Sequence, residues 1–328
     1  MRTLLFILTM GVSLTIAGQD ALFSQYWLTP ASINPAATAT QNSDYRATLQ
    51  RKNQGTLPQV KFNTSQLVGE MKILNSGNRH MGVGLLIRQD RTGEAQLAVF
   101  EAGGMLAYHM RTGKKNRLSA GFGASYRQRS IDLEGLSWDS QYNGAGFDPT
   151  LPTGETFGAN TSWSIDLQTG LQWLHDGKHR YTIGYSTYHY AQDQGLLGAS
   201  TDKTMLRHQF IGSYSKKLKP VDVTGDLLVA QHGGATTAIF GGRAEYKLGT
   251  DSRYTTASTS SFVSAGVHYR WADAVLLMVG YDYHKTMKIT FGYDITTGSI
   301  NALNTGRGGW ELGLVWSSPM KNERIRLK

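Results

Sequence analysis

Arg117-Leu118-Ser119-Ala120-Gly121-Phe122-Gly123-Ala124-Ser125-Tyr126-Arg127 alternates without a break. Leu118, Ala120, Phe122, Ala124 and Tyr126 make one set, and Arg117, Ser119, Gly121, Gly123, Ser125 and Arg127 make the other. Successive side chains of an extended strand point to opposite sides, so the stretch predicts a strand with one apolar and one polar face.

The same period recurs nearly to the end of the chain. Trp163, Ile165, Leu167, Thr169, Leu171 and Trp173 alternate with Ser164, Asp166, Gln168, Gly170 and Gln172. Ser261, Val263, Ala265, Val267, Tyr269 and Trp271 alternate with Phe262, Ser264, Gly266, His268 and Arg270. Met287, Ile289, Phe291, Tyr293 and Ile295 form a third apolar face, and Trp310, Leu312, Leu314 and Trp316 a fourth. Two details favour a membrane barrel over a soluble sandwich. The apolar faces carry aromatics near their ends, as an interfacial girdle requires. The polar faces carry charge of both signs, at Glu101, Asp166, Asp222, Asp226, Arg243, Glu245, Arg270, Asp282, Lys288, Asp294 and Glu311, which suits a lumen crossed by ion pairs.

Read this way, strands run over 44–53, 58–72, 80–90, 95–110, 115–130, 162–173, 178–190, 203–218, 221–231, 235–249, 258–270, 273–282, 284–295 and 308–318. The fold class predicted is all-β, an outer-membrane barrel of about 14 antiparallel strands with a short N-terminal plug-like segment. An even strand number puts both barrel ends on the periplasmic side, so the connections 131–161, 191–202 and 296–307 face outward. The alternate connections are mostly short, and three of them are basic: Arg111, Lys114, Lys115 and Arg117; Lys178 and Arg180; Lys216, Lys217 and Lys219.

Composition agrees. Gly (38) and Tyr (16) are abundant, Pro (7) is scarce, and mean hydropathy is −0.32, which is compatible with a membrane barrel because only alternate residues face lipid. Cysteine is absent, so disulfides, thiolate metal sites and a cysteine nucleophile are excluded. Arg2, the apolar run Leu4 to Ile16 and the small pair Ala17-Gly18 predict a signal peptide over 1–18, cut before Gln19. The barrel then spans 44–318, and 319–328 form a periplasmic tail. The formal charge is +9, one less without Arg2. Export makes nucleic acid an unsuitable partner, so the charge points to anionic lipid headgroups or an acidic protein surface.

Residues 19–43 do not read as a strand, because Pro30 and Pro35 break any ladder. Phe23, Tyr26, Trp27, Leu28 and Ile33 are costly to leave in water, so the segment is expected to be ordered and to plug or brace the periplasmic mouth.

Asp20, Phe23-Ser24-Gln25-Tyr26, Pro30 and Asn34-Pro35-Ala36 resemble the opening of the PorP/SprF family, outer-membrane components of the type IX secretion system of Bacteroidota. Tyr45-Arg46, Gly280-Tyr281-Asp282, Phe291-Gly292-Tyr293-Asp294 and the final-strand Glu311 fit the same family. Ala21 stands where members usually have proline, and Trp310 where histidine is common. The resemblance implies a non-enzymatic component that helps export or anchor a large surface protein of the adhesin or gliding type. Its partners would be that secreted protein, other secretion components including a periplasmic peptidoglycan-binding protein, and outer-membrane lipid. A passive or substrate-selective pore is the other reading of the same polar lumen.

Catalysis has little support in the residues. No serine is placed beside His189 or His208, and His175, Asp176 and His179 read as a solvated turn rather than a metal site. Gly306-Arg307-Gly308-Gly309 lacks the context of a phosphate loop, and no cofactor is called for. The outer loop 131–161 carries Trp138, Tyr142 and Phe147, aromatics that either recognise a partner or fold inward to close the barrel.

Overall fold

The last strand finds the first. In the computed structural model, Lys52 stands opposite Glu311, Gln50 opposite Gly313 and Thr48 opposite Val315, and this antiparallel seam closes the sheet on itself. The structure describes residues 22–55, 61–93, 96–133, 136–154, 159–190, 205–218, 220–249, 260–298 and 308–318. The predicted signal peptide and Asp20, the tail 319–328, Lys219, the connection 191–202 and most of 296–307 lie outside the described residues.

Fourteen strands are found among the described residues. They are β1 (Tyr45–Gly55), β2 (Lys61–Ser76), β3 (Arg79–Thr92), β4 (Leu97–Arg111), β5 (Asn116–Ser130), β6 (Thr161–Asp176), β7 (His179–Tyr188), β8 (Arg207–Leu218), β9 (Val221–His232), β10 (Ala235–Leu248), β11 (Ser261–Arg270), β12 (Ala274–Tyr283), β13 (Met287–Thr296) and β14 (Gly309–Ser317). Each pairs antiparallel with its sequence neighbours, and among the described residues no helix is long and apolar enough to cross a membrane. Predicted limits shift by a few residues. β7 stops at Tyr188 because His189 adopts φ +66°, a left-handed conformation that leaves the ladder.

The period of two survives into three dimensions. Along β5, Leu118, Phe122 and Tyr126 lie exposed on the outer wall, whereas Ser119, Ser125 and Arg127 are buried in the lumen. The outer wall is apolar, with Leu85, Leu171, Val267 and Val279 among its exposed side chains. In water such a surface would be a large aggregation-prone patch; in a bilayer it is the solvated one.

Aromatics gather at both ends of that wall. Near the connections that follow odd strands, Tyr126 lies 6.2 Å from Trp163, and Phe240, Tyr269 and Trp271 form a chain of edge contacts at 5.7 and 6.2 Å. At the end holding both barrel termini, Tyr45 meets Trp316 at 5.3 Å and Tyr181 meets Tyr214 at 5.2 Å. Two belts with an aliphatic band between them match the headgroup layers on either side of a hydrocarbon core.

Inside, the mixed-sign faces pair. Arg46 binds Glu70, Arg243 binds Asp226, Lys288 Nζ donates to Glu245 at 2.5 Å, Arg88 meets Glu101 at 3.4 Å and Arg270 meets Asp294 at 3.0 Å. Such pairs recover desolvation rather than adding much net stability, but removing one partner leaves a buried charge and is costly. The mature protein purified in detergent is expected to give a β-rich circular dichroism spectrum and a folded form that migrates differently from the boiled one. Substantial helix content would contradict this architecture.

Candidate functional site: the lumen segment and the two rims

The segment after Leu22 lies inside the closed sheet. Its composition forbids a strand and supplies three short 3-10 turns instead: Tyr26–Leu28, Pro30–Ser32 and Pro35–Ala37. Pro30 and Pro35 each open a turn, where a missing N–H costs nothing and φ is preset. Asn34 caps the third turn, its side-chain oxygen accepting from Ala36 N at 2.9 Å.

Four groups of the barrel wall fix the start of the segment. Glu311 on β14 accepts the backbone N–H of Ser24 at 2.8 Å and that of Gln25 at 2.9 Å, one on each carboxylate oxygen. Ser24 Oγ donates to Asp294 at 2.7 Å. Lys52 Nζ donates to Leu22 O at 3.1 Å and to Ser24 Oγ at 3.0 Å, while Arg270 donates to Ser24 Oγ at 2.9 Å. Next to them, Gln50 donates to Gln25 O at 3.1 Å and accepts from Thr29 Oγ1 at 2.7 Å. Ser24 and Gln25 are thus specified by what they bond. Phe23, Tyr26, Leu28 and Ile33 are specified by what they bury, Tyr26 and Ile33 packing on Leu228 and Ile239.

The middle of the segment sits on a floor of missing side chains. A Cβ on Gly121 would stand 2.2 Å from Ala36 N, one on Gly170 would stand 2.0 Å from Asn34 Oδ1, and one on Gly184 would stand 2.7 Å from Asn34 Nδ2. These glycines occupy the polar faces of β5, β6 and β7, and they let Asn34 donate to the backbone carbonyls of Leu171 (3.0 Å) and Tyr185 (3.4 Å). Ser186 Oγ donates to Ile33 O at 2.6 Å, completing the cradle.

The segment leaves through the end that holds both barrel termini. His109 Nε2 lies 2.7 Å from Thr38 O, Glu70 accepts from Ala39 N at 3.1 Å, and Arg117 reaches Thr40 O at 3.5 Å. Leu22 and Ser24, in contrast, meet Lys52, Arg270 and Asp294 toward the other end of β1, β11 and β13. The segment therefore runs lengthwise through the lumen instead of only edging the mouth.

The two rims carry the remaining predicted residues. On the loop after β5, Trp138 is half-buried, whereas Tyr142 and Phe147 are exposed and bridge to each other. The loop is self-supporting: buried Gln141 donates to Leu151 O at 3.0 Å, and hydrogen bonds from Thr150 hold the Asp148 carboxyl below the usual carboxylate range. At the terminal end, Arg111, Lys114, Lys115, Lys178 and Lys217 are exposed, and Arg180 and Lys216 are half-buried. They flank the connections after β4, β6 and β8, so all lie on one rim.

The histidines weighed for catalysis, His189 and His208, and those weighed for a metal, His175 and His179, have other partners, His189 Nδ1 lying 2.8 Å from Asp166 Oδ2. His175 Nδ1 lies 2.8 Å from Asn116 Oδ1, His179 Nδ1 lies 2.7 Å from Tyr214 Oη, and His208 Nδ1 lies 2.8 Å from Tyr185 Oη. Among the described residues no group of three His, Cys, Asp or Glu could hold a metal ion.

Sequence reading alone does not reveal that Glu311, Asp294, Lys52 and Arg270 converge, because β1 and β14 are neighbours only after closure. The inward glycines were the available signal, since a strand gains nothing from Gly unless something approaches closely. Because the chain lacks cysteine, Ser32→Cys reports burial of the segment directly. In that background the thiol is expected to resist maleimide, and adding Gly121→Val is expected to raise the labelling rate ~10-fold or more, as the valine displaces Pro35 and Ala36. Unchanged protection would contradict the cradle.

The geometry has counterparts among known proteins. The chain resembles the CymD monoaromatic hydrocarbon channel at 11% identity and TM-score 0.53, over 93% of this chain and 95% of that one. It resembles a FadL homologue from Pseudomonas aeruginosa at 10% identity and TM-score 0.51, over 87% and 92%. At such identities the likeness is one of fold, that of outer-membrane barrels. No curated protein sequence matches the chain. The family model described as type IX secretion system membrane protein PorP/SprF matches residues 15–315. With that match over nearly the whole chain, and with a girdled barrel whose lumen binds the Phe-Ser-Gln-Tyr and Asn-Pro-Ala stretches, this outer-membrane protein belongs to the PorP/SprF family of the type IX secretion system.

Proposed function

We propose that the protein is a non-enzymatic scaffold of the type IX secretion apparatus in a Bacteroidota outer membrane, helping to export or anchor a large surface protein of the adhesin or gliding type. The observation that carries this reading is the lumen itself. A conduit needs a path, and here residues 22–40 occupy the barrel's length, held by Glu311 at one end and by His109 and Glu70 at the other. A barrel that invests its interior in binding its own chain is better suited to holding proteins at its two rims than to passing solutes.

Each rim has a chemistry that supports a different partner. Tyr142 and Phe147 stand exposed on the outer loop, and large aromatics of this kind are frequent anchors in protein interfaces. The secreted surface protein is the partner assigned to them. The opposite rim presents Arg111, Lys114, Lys115, Lys178, Arg180, Lys216 and Lys217, a positive field suited to an acidic periplasmic component, the peptidoglycan-binding protein of the apparatus among them. Lipid phosphates are the competing use of these charges.

Co-purification from native membranes separates the two rims. Trp138→Ala, Tyr142→Ala and Phe147→Ala together are expected to reduce retention of the surface protein, each well-buried anchor contributing ~2 kcal/mol, while the barrel still assembles. Reversing Lys114, Lys115, Lys216 and Lys217 to Glu is expected to release a periplasmic partner, with salt sensitivity in the unaltered protein because exposed charges are screened within ~8–10 Å. A reversed protein that inserts normally and keeps every periplasmic partner rules out docking at this rim.

A further inference from the structure

On the outer wall the apolar band gives way to polar side chains over three adjacent strands. Arg51 on β1 stands opposite Ser65 on β2, which stands opposite Gln89 on β3. One row nearer the connections that follow odd strands, Asn53 stands opposite Asn63, and Asn63 opposite Arg91. Alternation turns all six away from the lumen, because Gln50, Lys52, Thr64 and Gln66 between them are buried inside. Arg51, Gln89 and Arg91 are exposed, and the other three are half-buried. Apolar residues bound the patch on both sides: Leu312 and Trp310 face Arg51 and Asn53 from β14, and Phe100 and Ala98 face Gln89 and Arg91 from β4.

The patch is positive and has no counter-charge of its own. The carboxylates of β2, β3, β4 and β14, which are Glu70, Asp90, Glu101 and Glu311, all turn to the lumen and bond there. Arg51 has no ion pair or side-chain hydrogen bond among the described residues. Arg91 is braced by Gln89, whose Oε1 accepts from Arg91 Nη2 at 3.2 Å and Nε at 3.3 Å in the amide orientation that satisfies both groups. Between the two arginines Asn53 Nδ2 donates to Asn63 Oδ1 at 2.6 Å. One row deeper, Leu49, Leu67 and Ile87 form an exposed apolar strip across the same three strands. An arginine on the lipid face is tolerated close to an interface, where an anion of that layer can answer it.

We infer that this patch binds a phosphorylated glycolipid of the outer leaflet, its phosphate on the guanidinium groups, its sugar along the amides and its acyl chains over the leucine and isoleucine strip. The guanidinium fork matches phosphate oxygens in pairs and charge-assists each bond. Asn53, Asn63, Gln89 and Ser65 offer donors and acceptors side by side, which suits sugar hydroxyls and is more than a bare phosphate needs. Arg51 and Arg91 lie two strands and two residues apart, about 12 Å between Cα atoms from strand spacing and rise, a span that one phosphate does not bridge and a sugar headgroup does. The patch also sits in the rows of the outer aromatic belt: Trp310 flanks Asn53, and the Arg51 row runs through Gln89, Phe100 and Gln128 to Trp163. The layer facing it is therefore headgroup and not hydrocarbon. This inference goes beyond the scaffold reading and shares with it only the orientation of the barrel.

The test titrates three lipids into the full mature protein in nonionic detergent and reads the bound fraction by native mass spectrometry. Lipid A carries sugar and phosphate, phosphatidylglycerol carries phosphate without a sugar ring, and diglucosyl diacylglycerol carries sugar without phosphate. Lipid A is expected to bind about tenfold or more tightly than either of the others. Arg51→Gln with Arg91→Gln is expected to weaken lipid A about tenfold or more, the effect of losing charge-assisted hydrogen bonds, in a protein that keeps its heat-modifiable mobility. Arg79→Gln, which removes a like charge from the other end of β3, is expected to leave lipid A binding unchanged. Should the double variant fail to assemble, Arg91→Gln set against Arg79→Gln decides the matter on single substitutions. If phosphatidylglycerol binds as tightly as lipid A, the patch is a general contact for anionic lipid and the inference is wrong. It is equally wrong if the folded double variant binds lipid A unchanged, or if Arg79→Gln weakens binding as much as Arg91→Gln.

Discussion

A carboxylate that accepts two consecutive backbone N–H groups is the contact on which this interior depends. Segment 22–40 carries polar backbone without a ladder, and inside the barrel each such group needs a partner. Glu311 supplies the first two, and Asp294, Lys52, Arg270 and Gln50 surround it so that neither the charge nor the Ser24 hydroxyl is left unanswered. All of these wall groups come from β1, β11, β13 and β14, strands flanking or near the closing seam. The residue that anchors the segment therefore exists as a site only when the sheet has closed, which couples docking of the N-terminal chain to completion of the barrel.

Room for the segment is made on the opposite wall by subtraction. Gly121 on β5 stands opposite Gly170 on β6, Gly184 on β7 lies diagonal to it, and Asn34, Pro35 and Ala36 fill the space their side chains would take. Polar clamps at one wall and an absence of atoms at the other hold the same chain. The outer surface obeys a separate constraint, set by lipid, and the period of two lets one strand satisfy both.

Much of the barrel was legible in Arg117 to Arg127 and its repeats, because alternation reports a two-faced strand whatever the strand's neighbours are. Trp163, Trp271 and Trp316 likewise betray the interfaces, since exposed tryptophan at strand ends has few other uses. What could not be read is anything that depends on closure. Glu311 appears in sequence as one acidic residue on a polar face, and its distance from Ser24 along the chain hides their contact. The run of the segment through the lumen was hidden for the same reason: apolar residues between prolines say that it must be buried, and not how far it travels. Tyr142 and Phe147 could be chosen from composition, but only the self-supporting loop around Gln141 explains why they stay exposed.

Single-channel recording in planar bilayers addresses the central claim, that the lumen is bound to its own chain and serves as a scaffold. The intact mature protein is expected to give small or rare openings, and deletion of 19–43 is expected to raise conductance clearly above it. Large, steady openings from the intact protein, unchanged by the deletion, would contradict the account.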